Sequence, residues 1–202
     1  MFAEYPAVLN GCLELLSAFS GMERENITRG PGWLFMSLGR RLERAMYSVR
    51  QLRELTAPMD EESWPVLEYL LEVADSSMTY RSRYFTTLQP LAVLDVLMVD
   101  ETNPRSLNFQ VAHLVDLYRK LPRHALDDKK AIEHALLLLR GLDLEKLDFP
   151  LPGSGRMDVS SEGQSQLDHS LRFIESLLPS WADNISLTYF NHARTYPISI
   201  GG

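Results

Sequence analysis

Cysteine is almost missing from this sequence, and Cys12 alone cannot form an internal disulfide. Stability must then come from a buried core rather than from covalent staples. No apolar run approaches the roughly 20 residues that a membrane-crossing helix needs, so no membrane association is expected. The opening residues, MFAEYPAVLN, carry no basic region ahead of their apolar part, as a secretory leader would. The expected location is therefore the cytoplasm. There the two N-x-S/T matches, at Asn26 and Asn184, have no glycosylation meaning. Positive charge is short as well: a net charge of −7 and a pI near 5.2 argue against a nucleic-acid partner.

Signatures of chemistry are equally scarce. The five histidines, His113, His124, His134, His169 and His192, show no H-x-x-x-H or E-x-x-H spacing, which argues against a metal site. GPG at 30–32 precedes a helix and GSG at 153–155 sits in a loop, so neither cradles a phosphate. No G-x-S-x-G elbow exists, and Cys12 lies on an apolar helix where a core position is expected. No cofactor is expected and no self-sufficient catalytic set is present. Lysine is rare too. Among 20 basic residues only Lys120, Lys129, Lys130 and Lys146 are lysines. Arginine suits carboxylates, phosphates and buried ion pairs because its planar fork binds two oxygens at once; GC-rich coding would give the same bias.

What is present is helix. With 45% apolar residues the chain can bury a proper core, and it is expected to form a single domain over 1–202. The pattern predicts an all-α bundle of roughly six to seven helices, mostly antiparallel. PAVLNGCLELLSAFSG has helical spacing and stops at Gly21. A second helix spans 32–56, with Pro58 ending it, and a third runs unbroken over 61–87, with Pro90 beyond its end. LAVLDVLMVD suits a buried helix or a strand, and its neighbours favour helix. In DETNPRS, Asn103 is placed as N-cap and Pro104 at the first helical position, opening a helix to Lys120. Further helices cover 127–142 and 162–193, the last bent at Pro179, with a Pro/Gly/Ser-rich loop over about 145–162 between them.

Charges on the second helix are oddly placed. At 100° per residue, Phe35, Leu38, Leu42, Ala45, Met46 and Val49 form one stripe, and Arg40, Glu43, Arg44, Tyr47 and Gln51 centre on the opposite side. A solvated face would explain this, but the face is expected to be covered and to meet Arg81 of the third helix. On the third helix Arg81 falls within the stripe Leu67, Leu70, Ala74, Met78 and Phe85. A buried arginine needs a partner, because stranding its charge costs several kcal/mol. Glu43 or an anionic ligand would serve, and an arginine snorkelling from the stripe's end would need neither. Arg105 is expected in a first helical turn, where the macrodipole disfavours a cation. Gln110 flanks the stripe Leu107, Val111, Leu114 and Tyr118, and the N–H groups of residues 103–106 could help hold an anion.

The segments NITRGPGWLFMSLGRRLERA, MTYRSRY, MVDETNPRSLNFQ and LTYFNHA together resemble the bacterial alpha-E domain, a helical family named for an E-R motif. The likeness extends from Ser17 to His192. A complete member is longer and opens with a helical segment bearing an earlier E-R motif, so the resemblance implies the C-terminal two-thirds of a domain or a shortened member. It also implies an all-helical protein of undetermined activity. The family occurs fused to, or encoded beside, circularly permuted ATP-grasp proteins and transglutaminase-like peptidases, which are the implied partners. Its characteristic polar residues fall here on Arg29, Gly39, Arg40, Glu43, Arg44, Tyr80, Arg81, Asn103, Arg105, Ser106 and Gln110.

Three functional readings stay open. One is a non-catalytic module whose arginine-lined cleft binds a peptide or other carboxylate, or docks an amide ligase. In it Arg40, Arg44 and Arg81 supply charge, Glu43 orients them, and Asn103, Arg105 and Gln110 line the opposite wall. A second is an enzyme using Glu43 as general acid or base, although close arginines would lower its pKa and make it a poor acid. A third is a buried ion-pair network that only fixes helix register.

Overall fold

A computed structural model describes residues 5–54, 64–85, 87–123, 125–147 and 162–190. The fold is all-α. Eight α-helices lie in the described residues, and no strand does: α1 Tyr5–Asn26, α2 Pro31–Glu54, α3 Trp64–Val73, α4 Ser77–Arg83, α5 Pro90–Leu94, α6 Leu107–Tyr118, α7 Leu126–Arg140 and α8 Glu162–Tyr189. A π-helical turn, Asp95–Val99, continues α5, and a short 3₁₀ turn covers Leu144–Lys146. None of the described helices is long and apolar enough to cross a membrane. Residues 148–161, most of the expected loop, lie outside the described residues, as do 55–63 and 191–202. Contacts divide the chain into two compact units, Met1–Ser37 and Leu38–Gly202, with the boundary inside α2.

In the first unit, α1 runs past the expected stop at Gly21, because MEREN supplies good helix formers that outweigh one glycine. Its apolar residues Tyr5, Val8, Leu9, Leu13, Leu15, Leu16, Phe19 and Met22 are all more than half exposed. Cys12, expected in the core, is exposed with them. The second unit holds the main core. There α7 packs against both α6 and α8. Buried Leu167, Leu171, Ile174, Leu178, Trp181 and Ile185 recur every three or four residues along α8, which passes through Pro179 as one helix. Trp181 packs its ring on Tyr118 at 5.0 Å and donates Nε1–H to the Asp128 carbonyl at 3.2 Å. On α2 the expected stripe is buried at Leu38, Leu42, Ala45 and Val49, continues to Leu52, and leaves Phe35 and Met46 half-buried.

The third helix is not continuous. It ends at Val73 in a Schellman motif: the Ser76 N–H reaches the Leu71 carbonyl at 2.8 Å, and the Asp75 N–H reaches Glu72 at 2.9 Å. Asp75, at φ 50°, takes the left-handed position where glycine is usual, and an aspartate tolerates it better than most residues. The break resets the helical phase. Tyr80 becomes the buried residue of α4, while Met78, Arg81 and Phe85, all assigned to the stripe of an unbroken helix, are exposed. LAVLDVLMVD is helical, with Pro90 at the start of α5.

Candidate anion-binding site

The cap of α6 sets one wall. Asn103 is not the N-cap; Ser106 is, accepting the Phe109 N–H at 3.0 Å and donating its hydroxyl to the Asp100 carbonyl. Asn103 instead closes the turn before the helix. Its Oδ1 accepts the Arg105 N–H at 3.0 Å, while Nδ2 donates to the Val96 carbonyl at 2.8 Å and to Ser76 Oγ at 3.3 Å. Arg105 therefore lies ahead of the cap rather than in the first helical turn, and the expected dipole penalty does not apply. Its Nη2 meets the Asp75 carboxylate at 2.8 Å. Gln110, fully buried, donates Nε2–H to the Pro104 carbonyl, which fixes its amide so that Oε1 faces outward.

That Oε1 receives Arg41, at 3.4 Å from Nη1. The Arg41 guanidinium also lies 5.4 Å from the Phe109 ring centroid, and Phe109 in turn stacks on His113 at 4.1 Å. Arg41 was not among the residues singled out by sequence. On the helical wheel it sits about 90° from the centre of the α2 stripe, just beyond its edge. Arg44, one turn on, continues the same side, whereas Glu43 falls on the other flank. A basic residue at a stripe's edge, opposite a glutamine at the edge of a second stripe, is the signal that would have found this pair.

Positive charge gathers here. Burial of the guanidinium, then repulsion from Arg44, holds Arg41 below the ordinary arginine pKa. Arg44 is shifted the same way by partial burial, then by Arg105 and Arg40. Arg44 is exposed and makes no ion pair among the described residues. The structure thus brings Arg40, Arg44, Arg105 and Gln110 into one neighbourhood and adds Arg41.

Other candidates lie elsewhere. The face bearing Glu43 and Tyr47 is open, not covered: both are exposed, and Glu43 has no carboxylate-to-cation contact among the described residues. Arg81 is exposed on α4 and meets neither Glu43 nor Arg44, because the α3–α4 break turned it outward. Tyr80 is buried, with its hydroxyl donating to the Thr87 carbonyl at 3.3 Å and accepting the Gln89 N–H at 3.1 Å. Arg29 belongs to the first unit, stacked 4.8 Å from the Trp33 ring centroid.

A separate ion-pair network, Arg83 with Asp95 at 3.0 Å and with Asp100 at 2.9 Å, braces the π turn. The Asp100 contact lies off the hydrogen-bond direction and is ionic, while Asp100 Oδ1 accepts both the N–H and the hydroxyl of Thr102. No group of three or more potential metal ligands occurs among the described residues.

Residues 2–190 match the Alpha-E family, described as "a predicted alpha-helical domain with a conserved ER motif", so the likeness begins well before Ser17. Two E-R pairs fall inside it, Glu23-Arg24 near the end of α1 and Glu43-Arg44 on α2. Proteins of Mycobacterium bovis and of two Mycobacterium tuberculosis strains, each described as uncharacterized, are 26% identical over 176 residues, covering 84% of this chain and 19% of the relative. The chain thus spans about a fifth of the length of the curated relatives it matches. No solved structure matches.

Proposed function

The chain belongs to the Alpha-E family, and from that premise we propose that it is a non-catalytic helical module of an amide- or peptide-forming system, holding a carboxylate-bearing peptide or the partner enzyme through its arginine cluster. The partner class is an ATP-grasp-type ligase, with a transglutaminase-like peptidase as the second candidate. One observation carries the reading: Arg41 and Arg44 stand together with no carboxylate against them among the described residues. A protein that only needed to fix helix register would pair them, as Arg83 is paired with Asp95 and Asp100. Asn103, Ser106 and Gln110 brace the start of α6 from inside, since their polar atoms are committed within the fold, while Tyr80 is committed elsewhere.

An enzyme reading finds less support. Glu43 is exposed on a flank that diverges from Arg41 and Arg44, so no arginine pair positions a substrate against it. The test is a pull-down of the chain against an ATP-grasp-type ligase of the proposed partner class, repeated with Arg41→Gln/Arg44→Gln. Capture by the native chain and loss in the variant, with helical circular dichroism unchanged, supports the reading. Capture that survives the double substitution removes the cluster from the interface and overturns it.

A further inference from the structure

Arg41 and Arg44 lie one helical turn apart on α2, Arg41 at the edge of the stripe against Gln110 of α6 and Arg44 farther round the same side. Side chains so spaced leave the helix about 5–6 Å apart at Cβ. Each ends in a planar fork that matches one carboxylate in two hydrogen bonds. Arg41 spends one long contact, 3.4 Å, on the Gln110 amide oxygen, and Arg44 makes no ion pair among the described residues. Among the described residues, two positive charges therefore stand uncompensated, with Arg105 close by and already answered by Asp75. A single carboxylate would leave one of them unmet. A phosphate has charge enough but a single centre, and the titration below tells the two ligands apart.

We propose, resting on the reading above, that this site takes two carboxylates carried a few ångströms apart on one ligand, namely the terminal and side-chain carboxylates of a peptide ending in glutamate. One carboxylate sits on each fork. The Phe109 ring, which backs the Arg41 guanidinium and is itself backed by His113, gives the methylenes between the carboxylates an apolar surface. Gln110 holds Arg41 in place from below, because its amide is locked by the Pro104 carbonyl and it is fully buried.

The experiment is a calorimetric or NMR titration of the full chain, at fixed ionic strength, with acetyl-Ala-Ala-Glu, acetyl-Ala-Ala-Ala and inorganic phosphate. The glutamate peptide is expected to bind at least about tenfold tighter than the alanine peptide, the difference one charge-assisted pair makes. Arg44→Gln is expected to erase that preference, and so is Arg41→Gln. Arg44 is exposed and Arg41 half-buried, and circular dichroism checks that the variants keep their helices. Equal binding of the two peptides overturns this inference but leaves the peptide-carboxylate reading in place. Phosphate binding tighter than either peptide overturns it in favour of a phosphoryl ligand. Binding of none of the three sinks both this inference and the peptide-carboxylate reading.

Discussion

Replacing Arg44 with glutamine should stabilise the protein when no ligand is present. Arg44 feels Arg105 and Arg40 as like charges, and no acid answers it among the described residues. Each such pair on a solvated helix costs about 0.2–0.5 kcal/mol, and solvent screening of an exposed group keeps the sum near the low end. Glutamine keeps most of the stem and a hydrogen-bonding head, so packing loss is small. The expected gain is about 0.3–0.8 kcal/mol at low ionic strength. It should shrink toward zero near 1 M salt, where the Debye length is about 3 Å. Urea unfolding at low and high salt measures both, and Arg81→Gln, at an exposed site without a described partner, should change stability by less than about 0.5 kcal/mol at either. A loss of more than about 1 kcal/mol in Arg44→Gln, or a gain indifferent to salt, would mean that Arg44 has an internal acid partner and that the cluster is structural.

Three further outcomes follow from the same contacts. Asn103→Ala should cost about 2–4 kcal/mol in urea unfolding, because it strands the buried Val96 carbonyl and frees the Arg105 N–H, and Asn103→Asp should cost at least as much, since a carboxylate would then face that carbonyl. Burial alone would raise Asp100, but hydrogen bonds from Thr102 and the charge of Arg83 hold its pKa below the usual carboxylate value. That stabilisation is complete above the unfolded pKa near 4 and is lost as pH falls through the folded value, so Asp100→Asn should flatten the acid limb of a stability–pH curve. Burial, then the hydrogen bond to Asp95, pushes Tyr84 up to about 12. Its contribution is present below the unfolded value near 10 and fades as pH rises toward 12, so Tyr84→Phe should reduce the alkaline loss and remove one late-titrating tyrosine from the ultraviolet titration.

Much of the fold could be read from spacing alone. The α2 stripe, the α8 stripe and the helical nature of LAVLDVLMVD rest on short-range periodicity, which a sequence displays directly. The misplaced features depend on something else. A glycine after Val73 would have announced the end of α3; an aspartate in the left-handed position does not. NPRS offers two capping residues, and local rules favour Asn103 because proline follows it. The choice of Ser106 is made by Ser76 and Val96, which occupy the Asn103 amide from other parts of the chain. Partners 27 and 7 residues away leave no mark on the local pattern.

The candidate site went partly unread for a related reason. Opposing charge to core finds residues that are fully solvated, and Glu43 and Tyr47 are such residues. A group that must touch both a ligand and the protein belongs between the two extremes, where its stem packs and its head stays wet. Arg41 occupies that position: Gln110 and Phe109 hold its guanidinium, and Arg44 extends the charge outward from it. The candidates identified by resemblance then separate by what their polar atoms do. Tyr80, Asn103, Ser106 and Gln110 have spent theirs inside the fold, while Arg44 makes no ion pair among the described residues. Folding gains nothing from assembling like charges, and under the proposed reading a bound carboxylate supplies the negative charge that the described residues do not place against Arg41 and Arg44.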